Sequence, residues 1–258
     1  MRAFAVVAVL ALAGCATLGG DAPAGRYLSE AQFDARDHLP PPPAKGSAAA
    51  DEDRRVFLAT RRLEGSPRWA IARADDDKAH VLAAYACALG YAPDADGNPR
   101  LAAMLARLRR DVRAAVDATK ARFRTPRPYL SEAGGVCVRP GARMALSMSS
   151  DYPSGHATWG WAVGLLLAEA APDRSAAILA RARAFGESRV VCGVHTASAV
   201  EAGRVNAENL VAALWSSEAF KADLAAVRAE LDAARLRGTP PDPARCTAEA
   251  NLLSAPIY

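Results

Sequence analysis

Pro153-Ser154-Gly155-His156 leads into a run, Ala157 to Ala170, that is apolar nearly throughout and meets no breaker until Pro172. Serine is a preferred helix N-cap, so proline, serine and glycine ahead of such a run mark a helix start. The stretch therefore predicts a helix over 155–170. Its most apolar part, Trp159 to Leu167, is far shorter than the roughly 20 residues that cross a bilayer.

The residues around this stretch also read as helix and loop. Upstream, 124–153 is punctuated by Pro126, Pro128, Gly134-Gly135, Pro140-Gly141 and Pro153, and reads as loop. Before it, Pro99 to Arg122 is the longest helical candidate, with Leu101, Leu105, Leu108 and Val112 on one face. Asp51 to Glu64 and Arg68 to Leu89 are further helices, ended by Gly65-Ser66-Pro67 and by Gly90 and Pro93. Downstream, helices are expected from Asp173 to Ser188, Thr196 to Trp215 and Ser217 to Leu236, followed by a proline-rich tail beyond Gly238. Aromatic residues make up only 6% of the chain and β-branched residues are sparse, a bias toward helix over strand. No repeat or convincing strand emerges. The expectation is an all-α, single-domain helical bundle over 51–238, with an irregular proline-rich lead over 16–50 and a tail over 239–258. Pro40 to Pro43 should form stiff polyproline II, as a linker or as a strap over the domain.

The first residues read as an export signal. Arg2 precedes an apolar run from Ala3 to Ala13, and Leu12-Ala13-Gly14-Cys15 has the form of a bacterial lipobox. Residues 1–15 are thus expected to be a signal peptide with Cys15 as the lipidated residue, which places the protein in the periplasm, anchored to the outer membrane by lipid alone. The other cysteines, Cys87, Cys137, Cys192 and Cys246, are even in number, which in an exported chain points to two disulfides. Three pairings are open, and no two of these cysteines lie close enough to resemble a zinc site.

A formal net charge of +4 is modest, and the arginines are spread along the chain beside acids, as in Arg109-Arg110-Asp111. Nucleic-acid binders cluster their basic residues with interleaved aromatics, so no nucleic-acid partner is expected. A mild positive bias suits a small anionic substrate. Association into a homo-oligomer is left open.

Three separated segments share one chemical character. A helix start at Ser154 and Gly155 offers free N–H groups and the positive end of a helix dipole to an anion. Ser154 is placed to cap the helix or to donate to a phosphate oxygen, Gly155 lets a ligand approach the backbone, and His156 sits at the mouth as a proton donor. Lys120 and Arg127 add a point charge and a planar fork, and Arg189 adds a second fork. His195 follows Gly193, where the chain is expected to bend and offer the ring to a pocket. Each feature alone is ordinary surface or capping chemistry. Together they suit a phosphoryl group in transfer, with one histidine attacking and the other donating a proton.

The ordered set K-x6-R-P, P-S-G-H and S-R-x5-H resembles the signature of the phosphatidic acid phosphatase type-2 superfamily, which also includes vanadium haloperoxidases. The Leu39 to Pro43 run, Asp151 to His156, Gly160-Trp161 and Gly186 to Gly193 are similar to the class A nonspecific acid phosphatases of bacteria, over about residues 36–235. The resemblance implies that Lys120, Arg127, Ser154, Gly155 and Arg189 bind phosphate, that His195 is the nucleophile and His156 the general acid, and that no cofactor or metal is needed. It implies a small phosphomonoester as substrate. It also implies that Cys137 and Cys192 are partners, which leaves Cys87 with Cys246.

The chain departs from that family at one telling place. The family's third motif ends in an aspartate four residues after the nucleophilic histidine, and here that residue is Ala199. Thr196 likewise replaces an aromatic residue. Glu201 is the nearest acid in sequence, but at i+6 from His195 it points to the side on a helix. Glu187 or a backbone carbonyl are other stand-ins. The rival reading is a phosphate pocket with weak or lost turnover, used for binding or interaction. On these grounds Ala199→Asp is expected to raise turnover.

Overall fold

The computed structural model describes residues 25–78 and 81–258, so the expected signal peptide and Cys15 lie outside the described residues. The helices in chain order are α1 (Ala48–Thr60), α2 (Pro67–Ala74), α3 (Val81–Ala84), α4 (Ala86–Leu89), α5 (Pro99–Phe123) and α6 (Pro140–Ser147). They continue with α7 (Gly155–Ala170), α8 (Ser175–Val191), α9 (Ala197–Leu214), α10 (Glu218–Arg237) and α11 (Pro243–Ser254). No strand occurs among the described residues, and the fold is all-α. None of these helices is long and apolar enough to cross a membrane.

The helix predicted over 155–170 forms within those bounds and is the centre of the bundle. It is apolar on every face because neighbours cover every face: α8 and α9 flank it, and α5 and α10 close the remaining sides. Leu166, Leu167, Phe185, Leu210 and Leu101 meet in one core, each large aliphatic side chain contributing roughly 1.5–3 kcal/mol by leaving water. Glycines let α7 and α8 pack closely: a methyl on Gly160 would sit 2.3 Å from Phe185 Cδ1 and one on Gly164 2.4 Å from Ala182 Cβ. Hydroxyl caps set five of the helix starts, with Ser47, Ser66, Ser154, Thr196 and Ser217 each accepting from the amide three residues on.

Four segments differ from the sequence expectation, in three ways. The helix expected over Arg68–Leu89 stops at Ala74. Asp75, Asp76 and Asp77 follow in succession, and aspartate in mid-helix competes with the backbone for hydrogen bonds. Asp75 is drawn instead to Arg181 (2.5 Å) and the Ser188 hydroxyl (2.6 Å) on α8. Second, α6 and α11 form in segments read as loop and tail. Both begin with proline at the first helical position, where its missing N–H costs nothing, so the prolines start helices there instead of preventing them. Third, the lead is irregular as expected, yet Tyr27, Leu28, Phe33 and Ala35 enter the main core. It is anchored by buried Asp111 of α5, which accepts from the amides of Tyr27 (2.9 Å) and Leu28 (3.2 Å).

Of the two roles considered for Pro40–Pro43, the structure supports a strap: Pro40 lies over the domain, its carbonyl accepting from the Tyr152 hydroxyl at 2.8 Å. Disulfides join Cys137 to Cys192 and Cys87 to Cys246, the second tying α4 to α11.

Candidate active site

The sequence segments singled out above converge at the N-terminal end of α7. Ser154 caps that helix, its Oγ accepting from Ala157 N at 3.3 Å, while its own N–H donates to Ala199 O at 2.8 Å. Gly155 leaves only tight space for a side chain. A Cβ there would lie 3.2 Å from Val116 Cγ1 and 3.6 Å from Lys78 Nζ.

Arg189, in the last turn of α8, is fully buried. Its Nη1 donates to Asp76 Oδ1 at 2.9 Å, while Nε and Nη2 find no hydrogen-bond partner among the described residues. Buried donors are nearly always satisfied, so two open positions on a buried guanidinium mark a place built for an acceptor. Arg127 is almost as buried. Its Nε donates to Ser149 O (3.0 Å), and its Nη1 to Val194 O (2.7 Å) and to His195 Nε2 (3.0 Å). Lys120 reaches in from the last turn of α5, its Nζ bonding Ser150 O and lying 3.4 Å from Ser149 Oγ. Burial depresses it to about 7, and Arg127 adds to the effect.

His195 is delivered by a sharp bend. Gly193 takes a left-handed backbone (φ 70°) at the end of α8, and Arg61 caps that end by donating to Val190 O (2.9 Å) and Val191 O (2.8 Å). The ring is then held on both sides. A guanidinium can only donate, so the Arg127 contact makes Nε2 an acceptor and leaves the ring proton on Nδ1. Nδ1–H donates to Asp151 Oδ1 at 2.8 Å. Asp151 is itself fixed by Thr196, whose N–H reaches Oδ1 (3.3 Å) and whose hydroxyl reaches Oδ2 (2.7 Å). Burial pushes the Asp151 carboxyl up to about 6, opposed by the Thr196 bonds and by Arg127.

His156, on the first turn of α7, turns its Nε2 to the carbonyl oxygen of Asp76 at 3.0 Å. Burial holds both imidazoles well below their usual range. Arg189 and Lys78 push His156 further, and Arg127, Lys120 and Arg189 push His195 further. The two rings lie within electrostatic reach of one another and of the same arginines, so the five side chains predicted to converge do so.

Three contributors escaped the sequence reading. Asp151 appeared there only as part of a motif. Asp76 grips Arg189 through its carboxylate and His156 through its carbonyl. Lys78 adds a further cation beside Gly155, depressed to about 8 by burial and by Arg189. The last two sit where the expected Arg68–Leu89 helix breaks, and the Asp75-Asp76-Asp77 run was the available signal. Glu201 and Glu187, considered as partners for His195, bond Arg204 (2.9 Å) and Arg183 (2.8 Å) instead.

Residues 101–221 match the PAP2 superfamily. The chain is 40% identical to an acid phosphatase of Zymomonas mobilis subsp. mobilis over 82% of its own length and 81% of that protein's. It is 33% identical to a non-specific acid phosphatase of Salmonella typhimurium, over 80% and 83% of the two chains. A non-specific acid phosphatase of Providencia stuartii is 33% identical over 77% and 81%. An all-α bundle with this site, at this degree of likeness, is a phosphatase. The chain belongs to the PAP2 superfamily, among its class A nonspecific acid phosphatases.

Proposed function

We propose that this protein hydrolyses phosphate monoesters of broad structure through a phosphohistidine on His195, without a metal. The observation that carries the reading is Arg189, a buried guanidinium with two open donors beside the N-terminus of α7 and both imidazoles. Arg189, Arg127, Lys120 and Lys78, with the Gly155 amide and the Ser154 hydroxyl, neutralise the phosphoryl oxygens as charge spreads over them.

The His195 Nε2 lone pair attacks phosphorus as the ester P–O bond breaks, and protonated His156 gives its Nδ1 proton to the departing alkoxide. A water then attacks the phosphohistidine. His156 takes a proton from that water, the P–N bond breaks, and the electron pair returns to Nε2. Arg127 Nη1 occupies Nε2 in the free site, so the incoming phosphate takes over that donor.

The test is p-nitrophenyl phosphate hydrolysis at acid to neutral pH, in the presence of chelator, by the native chain and by His195→Ala. Native turnover that the substitution abolishes supports the reading, while equal rates would refute it. Residues 1–15 as export signal and Cys15 as lipid anchor complete the proposal, placing the enzyme in the periplasm. The two disulfides are consistent with that compartment. The second reading, a phosphate pocket without turnover, rests on Ala199 in place of the family's aspartate.

A further inference from the structure

We propose that Asp151, in the loop ahead of α7, is the positioning residue for His195, and that it does from that loop what an acid on the first turn of α9 would otherwise do. The inference rests on the phosphohistidine reading above and removes the ground for the binding-only alternative.

The geometry is specific. Asp151 meets the ring nitrogen that points away from the phosphate site, at 2.8 Å, while Arg127 meets the one that points into it. An attacking Nε2 becomes positively charged with its ring when the P–N bond forms. A carboxylate on the opposite nitrogen steadies that charge and fixes the proton on Nδ1, so the lone pair stays on Nε2. The carboxylate does not swing, because the Thr196 hydroxyl and amide hold both its oxygens, and the Asp151 N–H donates to Thr125 O at 2.8 Å. Thr196 is thus a cap in two directions, accepting from Ala199 N for α9 and donating to Asp151 for the ring.

Position 199 is unsuited to the same task here. Its methyl is fully buried against Leu39, Tyr152 and Ala202, an apolar nest beneath the proline strap. The two positions are nevertheless neighbours, since Ser154, three residues after Asp151, donates its N–H to Ala199 O.

The experiment uses the full chain with Asp151→Asn, which keeps the side chain's shape and so the fold, and Asp151→Ala, each checked by thermal unfolding. For the acid beside a catalytic histidine in another enzyme class the rate cost is about 10⁴, and a fall in kcat of about 10²–10⁴ is expected here. Inhibition by inorganic phosphate should change by no more than about threefold, because the lost interaction belongs to the transition state. Proton NMR of the histidine rings reads this bond independently of turnover: the His195 Nδ1–H proton, bonded to a carboxylate, should resonate far downfield in the native chain and move upfield in Asp151→Ala. Unchanged kcat in both variants, with a native chain that His195→Ala inactivates, would overturn the role of Asp151 and leave the phosphatase reading standing. An inert native chain would sink the phosphatase reading, and the NMR result would then decide on Asp151 alone, an unchanged His195 Nδ1–H resonance overturning it.

Discussion

The two imidazoles of the site have opposite kinds of backing. His195 rests its outer nitrogen on a carboxylate, Asp151, braced by Thr196. His156 rests one nitrogen on a backbone carbonyl, that of Asp76. The nearest carboxylate to His156, Asp76 Oδ1 at 3.8 Å, is already committed to Arg189 at 2.9 Å. A carboxylate stabilises a ring that becomes cationic by bonding to phosphorus. A neutral carbonyl orients a ring but does little to hold its positive charge, so a proton on it is readily given up. The difference matches the proposed division of labour: the ring backed by an anion attacks, and the ring backed by a dipole donates.

The strongest way to break this comparison is to remove the donor ring. His156→Ala should lower kcat/KM for alkyl phosphates, which reports the step that expels the leaving group, by about 10²–10⁴, the usual contribution of a general acid. With p-nitrophenyl phosphate, whose leaving group departs without protonation, the loss should be at least tenfold smaller. Equal losses on both substrates would mean that His156 does not protonate the leaving group. A milder disturbance doubles the anion behind the other ring. Ala199→Asp was expected from sequence to raise turnover, and with Asp151 in place that expectation reverses. Two buried carboxylates beside one imidazole cannot both stay ionised, and the new one enters an apolar nest, so kcat should fall by about tenfold with a lower melting temperature. A rise in kcat would show that Asp151 does not already supply the charge.

Much of this was legible in the sequence. The bounds of α7 followed from a serine cap and an uninterrupted apolar run, because local chemistry and burial agree there. The ordered lysine, arginine and histidine segments predicted the convergence of Lys120, Arg127, His156, Arg189 and His195. The contributors that escaped are those whose roles depend on contacts distant in sequence. Asp151 lies 44 residues from His195, and nothing in its own surroundings marks it as a partner. Asp76 and Lys78 were hidden inside a segment read as continuous helix, and the break that frees them is driven by Arg181 and Ser188, more than 100 residues on. Prolines at the starts of α6 and α11 were read as breakers because a proline looks the same in sequence whether it ends a helix or begins one.

The smallest expected effect sharpens the comparison by clearing the pH profile of a competing titration. Lys120 is depressed to about 7 by burial and by Arg127. A depressed lysine is charged below its pKa and neutral above it, so its grip on phosphate is present in acid and lost as pH rises through about 7. The kcat/KM of the native enzyme should therefore fall more steeply across roughly pH 7 to 8, a limb that a binding cation adds to the decline already begun at lower pH as His156 loses its proton. Lys120→Arg replaces the titrating cation with one that stays charged throughout this range. The alkaline limb should then move upward by about one pH unit, to where Lys78 at about 8 takes over, while kcat at pH 5 changes only a fewfold. With that limb displaced, a titration remaining just below neutrality belongs to Asp151, raised to about 6, and to the ring it backs. A limb that stays near 7 in Lys120→Arg would assign it to the histidine–aspartate pair instead.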